Sequence, residues 1–165
     1  MSKRVGLLTA VIVLAFPALA GARIVPNKSI AGINLGESKA AVVKRLGPPA
    51  KIIPGSPVIW VYKSTLEVWF KNAHVVTVFT ENPAQKTASG IGPGSKESAV
   101  KARIKGVKCQ HAKGFPGQGC ITISRHGATD WVTDFHIGTN GRVKSVLVTI
   151  LPVSGALDRA LRVRS

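Results

Sequence analysis

Side chains capable of chemistry are sparse in this chain, and the closest grouping is Asp134 with His136. The two stand two apart in an alternating segment, Trp131–Ile137, so a strand would present both on one face. A carboxylate beside an imidazole is the base half of a hydrolytic site. The nucleophile half is missing, because the chain contains no Gly-x-Ser-x-Gly elbow. The run Gly90-Ile91-Gly92-Pro93-Gly94 suggests phosphate binding ahead of a helix, but it lacks the Lys-Ser/Thr of a phosphate loop and the spacing of a dinucleotide fingerprint. Pro93 also removes a backbone donor there. The residues therefore favour a protein that acts by contact, without a cofactor; a small hydrolase is the least supported alternative.

Cys109 and Cys120 enclose ten residues. In an oxidising compartment they are expected to form a disulfide. Closing so short a loop is worth about 3 kcal/mol in the chain-entropy picture. The rival chemistry is zinc, with His111 and His126 as further ligands, but Cys-x-His followed by Cys-x5-His does not match paired-knuckle spacing. Phe115, between the two cysteines, would be displayed on a stapled loop or tucked back onto a sheet.

Aromatic residues supply the candidate contact surface. Leu66, Val68 and Phe70 alternate with Glu67, Trp69 and Lys71, so the first set belongs in a core and Trp69 faces the polar side. A tryptophan on a wet sheet face is a good anchor for a partner unless another part of the chain covers it. Lys71 and His74 flank the turn that follows. Trp60 and Tyr62 share a face, which the sequence does not assign. Together with Phe115, Asp134 and His136, these residues form the candidate partner-binding set.

The elements that must position them come as a unit written twice. At an offset of 58 residues, Ala31–Leu46 lies over Ser89–Ile104, with Gly32/Gly90, Ile33/Ile91, Gly36/Gly94, Ala41/Ala99, Val42/Val100 and Arg45/Arg103 identical. Each copy opens with Gly-Ile-x-x-Gly and a short helix. Ser38 caps the first, Val42 and Leu46 form its buried stripe, and Gly47-Pro48-Pro49 ends it. Ser95 is the expected cap of the second, with Val100 and Ile104 inward and Gly106 as its stop. Strands follow at Val58–Lys63, Leu66–Lys71 and His74–Thr80, then at Cys120–Arg125, Trp131–Ile137 and Arg142–Ile150, with Asn140-Gly141 read as a type I′ hairpin turn. The fold class is α+β: two similar units, each a short helix packed on a three- to four-stranded antiparallel meander, with an open sheet face.

The run Gly32 to Pro49 reads Gly-Ile-x-Leu-Gly-x-Ser-x-x-x-Val-x-x-x-Leu-Gly-x-Pro. It resembles the motif of small exported domains of the BamE (SmpA/OmlA) type, and the tandem arrangement is similar to the β-lactamase inhibitor proteins of actinobacteria. The resemblance covers about residues 29–150. It implies helices on one face of an antiparallel sheet, a concave face that binds other proteins, and no enzymatic activity. The chain departs from the pattern in three places. The lipoprotein cysteine is missing, Lys96 stands where the second helix-capping hydroxyl would be, and the tip Lys71-Asn72-Ala73-His74 lacks the acid with which the inhibitors mimic the antibiotic's carboxylate.

Length and composition bound these readings. The 165 residues carry 23 Lys+Arg against 7 Asp+Glu, a net charge of +16, with 45% hydrophobic residues. That composition excludes a disordered polyelectrolyte and a membrane bundle. Lys3 and Arg4, an uncharged stretch from Val5 to Phe16, and small residues at Ala-x-Ala spacing have the layout of a signal peptide, with cuts after Ala20 or Ala22. The expected organisation is a signal peptide over 1–22, a first repeat over 23–82, a second over 83–151 with the disulfide loop, and a basic tail over 152–165. Loss of Lys3 and Arg4 leaves 21 basic against 7 acidic residues, a net charge of +14. The expectation is an exported binding protein, secreted or periplasmic, with a protein partner whose acidic surface the charge would attract. A basic protein held to polyanions or an anionic membrane surface is the alternative. Specific nucleic-acid recognition is not expected, because the aromatics are too scattered for a base-stacking track.

Overall fold

The structure is a computed structural model and describes residues 23–111 and 117–153. Residues 1–22, where a signal peptide is expected, Phe115 and the tail beyond Val153 lie outside the described residues. Eleven strands and two helices follow one another as β1 (Ile24–Val25), β2 (Ser29–Ile30), β3 (Ile33–Asn34), α1 (Lys39–Leu46), β4 (Lys51–Ile53), β5 (Val58–Tyr62), β6 (Leu66–Lys71), β7 (His74–Thr80), α2 (Glu97–Arg103), β8 (Lys108–Gln110), β9 (Gln118–His126), β10 (Thr129–Ile137) and β11 (Val143–Pro152). The architecture is antiparallel and mostly β, with β1–β3 in a small sheet and the other eight strands in one large sheet.

The large sheet has the order β4-β5-β6-β7-β11-β10-β9-β8. Each helix is therefore followed by a four-stranded meander, and the last strands of the two meanders pair in the middle. That seam runs through Thr77↔Thr149, Val78↔Val148, Phe79↔Leu147 and Thr80↔Val146. Matched backbone contacts tie each helix entrance to the start of its central strand. Gly36 and Gly94 donate to the carbonyls of Val75 and Val143, while Val75 and Val143 donate to those of Glu37 and Ser95, all within 2.7–2.8 Å. Side chains repeat the pattern, as His74 donates to the Gly36 carbonyl and Arg142 to that of Gly94.

Register decides which side chains are buried. Trp60 pairs with Val68, Tyr62 with Leu66, Phe70 with Val75, and Phe135 with both Val146 and Cys120, so all of these point to one face. They form the core together with Ile24, Ile30 and Ile33 of the small sheet, Val42 of α1, and Val100 and Ile104 at α2. The helices and the small sheet thus cover one face of the large sheet.

Several sequence expectations change. Ser38 does cap α1, accepting from the Ala41 amide. Ser95 does not cap α2: Lys96 occupies that position without a side-chain bond, and the Ser95 hydroxyl instead accepts from the Gly92 amide. The Asn140-Gly141 turn is a longer loop over 138–142, in which Gly141 takes the left-handed conformation and the Asn140 side chain accepts from the Arg142 amide. The two-residue turn with both residues left-handed is at Asn72-Ala73. Strands β4 and β8, three residues each, and the small sheet were absent from the sequence expectation.

Candidate functional site: the open sheet face

Opposite the core, the large sheet presents a second face that no described element covers. Its residues follow from the same register. They are Ile59 and Val61 on β5, Glu67 and Trp69 on β6, Thr77 and Phe79 on β7, Leu147 and Thr149 on β11, Val132, Asp134 and His136 on β10, and Ile121 and Ile123 on β9. Most are partly buried, while Thr77, Thr149 and Val132 are buried. At the seam the Thr77 and Thr149 hydroxyls are 2.7 Å apart, and Thr149 also donates to the Val76 carbonyl. Hydroxyls that meet there satisfy one another and leave the centre of the face without exposed polar demand.

Trp69 stands on this face, as its alternation with Val68 and Phe70 requires. Its indole N–H donates to Glu67 at 2.9 Å, and the ring is partly exposed beside Ile59 and Thr77, its cross-strand neighbours. Lys71 and His74 are exposed at the two-residue turn, and His74 is engaged with the Gly36 carbonyl at 3.1 Å.

Trp60 and Tyr62 are corrected out of the contact set. Each is only 8% exposed, on the helix side. Trp60 packs on Phe70 with ring centroids 4.5 Å apart, and the Lys39 ammonium lies 5.6 Å from both rings. The Tyr62 hydroxyl donates to the Gly47 carbonyl, and burial pushes its pKa up.

Asp134 and His136 do share a face, two apart on β10. Burial is the main influence on Asp134 and pushes its carboxyl up to about 6; His136 opposes the shift through its charge. The contrast with Asp130 on the same strand is instructive. Two hydrogen bonds from Arg125, at 2.9 and 3.2 Å, hold Asp130 below the usual carboxylate range despite its burial. A hydrolytic arrangement is not assembled among the described residues. The hydroxyl that meets an imidazole is Ser124, 3.2 Å from His126, and His126 stacks on Trp131 rather than on an acid.

Cys109 and Cys120 are joined as a disulfide and are direct cross-strand partners on β8 and β9. Both sulfurs lie near Glu97, but a disulfide offers no thiolate to a metal. The bridge pins the edge strand β8 beside the half of the open face that carries Asp134.

The sequence reading missed the apolar extent of this face: Ile59, Val61, Phe79, Ile121, Ile123 and Leu147. The signal was present. Val58–Tyr62 contains no polar residue at all, and such an unbroken run means apolar side chains on both faces of a strand.

No family model matches the chain, and no curated protein matches it. Two solved structures are similar at low identity. One is an extracellular protein containing a SCP domain from Bacillus anthracis str. Ames, with TM-score 0.48 and 11% identity over 70% of this chain and 43% of that one. The match thus spans less than half the length of that protein. The other is a DUF4309 family protein (YjgB) from Bacillus subtilis subsp. subtilis str. 168, with TM-score 0.49 and 13% identity over 74% of this chain and 84% of that one.

Proposed function

We propose that this protein is an exported, non-catalytic binding module that holds a protein partner on the open face of its large sheet. The observation that carries the proposal is the apolar face itself. Ile59, Val61, Trp69, Phe79, Ile121, Ile123 and Leu147 line a surface opposite the core, in a protein that is otherwise strongly basic. Soluble monomers rarely leave a contiguous apolar surface of this kind without a use for it. On this face aromatic and aliphatic side chains surround the paired Thr77 and Thr149 and the carboxyls of Glu67 and Asp134, and Lys71, Arg125 and His74 are exposed.

We read the two helix–meander halves as copies of one unit, on the strength of the 58-residue offset and the matched contacts at Gly36 and Gly94. Joining them through β7 and β11 doubles the width of the open face, which one half alone could not offer. Export is read from the signal-peptide layout of residues 1–22, and the disulfide is the covalent feature that fits an oxidising compartment. The mature charge of +14 would draw in an acidic partner surface and hasten encounter.

Site-specific photo-crosslinking tests this reading. A benzoylphenylalanine at position 79, in the middle of the open face, is expected to capture a discrete envelope or secreted protein. The same group at position 101, on the exposed side of α2, is expected to capture none. Equal labelling from both positions would contradict the reading, as would labelling from position 101 alone.

A further inference from the structure

Within the open face one polar hollow stands out. Asp134 on β10 lies between Ile121 of β9 and Leu147 of β11, its cross-strand neighbours on that face. Its Oδ1 is buried and accepts no hydrogen bond among the described residues. Beside it is a hollow of about 150 Å3 lined by Gln110, Gly117, Gly119, Ile121, Asp134 and His136. Glycine keeps it open: a Cβ at Gly119 would stand 3.1 Å from Asp134 Oδ1, and one at Gly117 would stand 3.2 Å from His136 Cε1 and 2.3 Å from the Ile137 carbonyl oxygen.

The chemistry of the hollow narrows what can enter it. A carboxylate among aliphatic side chains is costly unless a donor meets it, and a cationic donor offsets its charge as well. An apolar group would leave Oδ1 unpaired, and an anion would be repelled. The volume exceeds the roughly 30 Å3 of one water molecule and accommodates the end of a long side chain. Among the described residues, the charge that bears on the carboxylate is that of His136, which opposes the effect of burial without a hydrogen bond to Oδ1. Gly119 and Ile121 on β9, and Ser145 and Leu147 on β11, are uncharged; Gln110 on β8 is neutral. The titratable groups on this part of the face are His136 along the same strand and Lys108, which is paired opposite Ile121.

We propose that this hollow is the anchor site of the sheet-face interface and receives the ammonium or guanidinium of one lysine or arginine side chain of the partner protein. The proposal rests on the reading of the open face as a partner surface and adds the chemistry by which the partner is chosen. A cation-seeking hollow in a chain of net charge +14 is the opposite of what the overall field selects. It therefore supplies specificity where the field supplies only encounter.

The test uses the oxidised mature protein labelled with 15N and titrated at pH 7.5 with Nα-acetyl-lysine methylamide, against the uncharged Nα-acetyl-norleucine methylamide. Saturable shifts are expected at the amides of Gly117, Gly119 and Ile121 with the lysine compound and not with the norleucine compound. The response should disappear in Asp134→Asn, which keeps the shape of the side chain. It should weaken about tenfold at pH 5, where a carboxyl titrating near 6 is mostly protonated. Equal shifts from both compounds, no shifts at these amides, or an unchanged response in Asp134→Asn would overturn the proposal. A partner crosslinked from position 79 that Asp134→Asn holds as tightly as the native protein would overturn the anchor site alone, leaving the sheet-face reading standing. Failure of the crosslinking, with the lysine response intact, would remove the sheet-face reading and with it the anchor role.

Discussion

Asp134 is a carboxyl set among Val132, Ile121 and Leu147, and that setting gives it a pH signature. Its pKa is raised to about 6 in the fold, from the ordinary value of 3.8. The folded state therefore binds this proton more tightly than the unfolded chain. The penalty of ionising it is absent below about pH 4, grows between pH 4 and 6, and is complete above that. Asp134→Asn is expected to stabilise the protein at pH 7 by roughly 1–3 kcal/mol, the linkage energy of a shift of this size. The gain should vanish near pH 3.5. Paired urea melts of native protein and variant across pH 3.5–8 check it, and a destabilised variant at pH 7 would contradict the unpaired carboxylate. That Asp134 and His136 share a face was legible from their spacing, since strand side chains alternate with period two. Their environment was not legible, because Ile121 and Leu147 reach Asp134 from strands 13 residues away in the chain on either side. Trp60 and Tyr62 mark the limit of period-two reading. In Val58–Tyr62 both faces are apolar, so alternation could not say which set went inward, and pairing with Val68 and Leu66 decided it.

At the scale of elements, signals carried by several residues were readable and those carried by three were not. Helix α1 shows its cap, its buried Val42 and its Gly47 stop within the ten residues from Ser38 to Gly47. Helix α2 begins one residue later than a Ser95 cap requires and has no side-chain cap bond, yet Val100 and Ile104 bury the expected stripe. What fixes its entrance is backbone contact with Val143 and Gly141 from the far end of the second meander, which leaves no local trace. Strands β4 and β8 are too short to show a period, and each exists because a longer neighbour offers an edge. For β8 the disulfide adds a covalent tie. Replacing Cys109 and Cys120 together by Ala is expected to cost about 3 kcal/mol, the closure entropy of a loop of this length. The loss should appear as faster amide exchange at Lys108–Gln110 ahead of the rest of the sheet. Exchange unchanged at β8 would mean that strand pairing alone holds the edge.

For the whole molecule, the succession of helices and antiparallel strands was legible and the way they join was not. A short helix followed by a run of strands occurs twice along the chain, but no residue pattern states that β7 and β11 should pair. Their pairing creates the one feature that the account depends on, a broad sheet with its core on one side and an apolar face on the other. Two forces would then act on a partner. The dispersed positive charge acts at a distance and fades with salt, since the screening length falls from about 10 Å at 0.1 M to about 3 Å at 1 M. The apolar face acts only in contact and does not fade. The most direct measurement is capture of envelope and secreted proteins on the immobilised mature, oxidised protein, washed at 0.1 M and then 1 M salt. It should be run in parallel with Trp69→Ala/Phe79→Ser and with the helix-face control Lys101→Ala/Arg103→Ala. The account predicts a discrete protein that survives 1 M salt on the native protein and on the helix-face control, and is lost from the sheet-face variant. Material that all elutes at 1 M salt, or a partner that the sheet-face variant still retains, would contradict it and leave the basic charge as the binding principle.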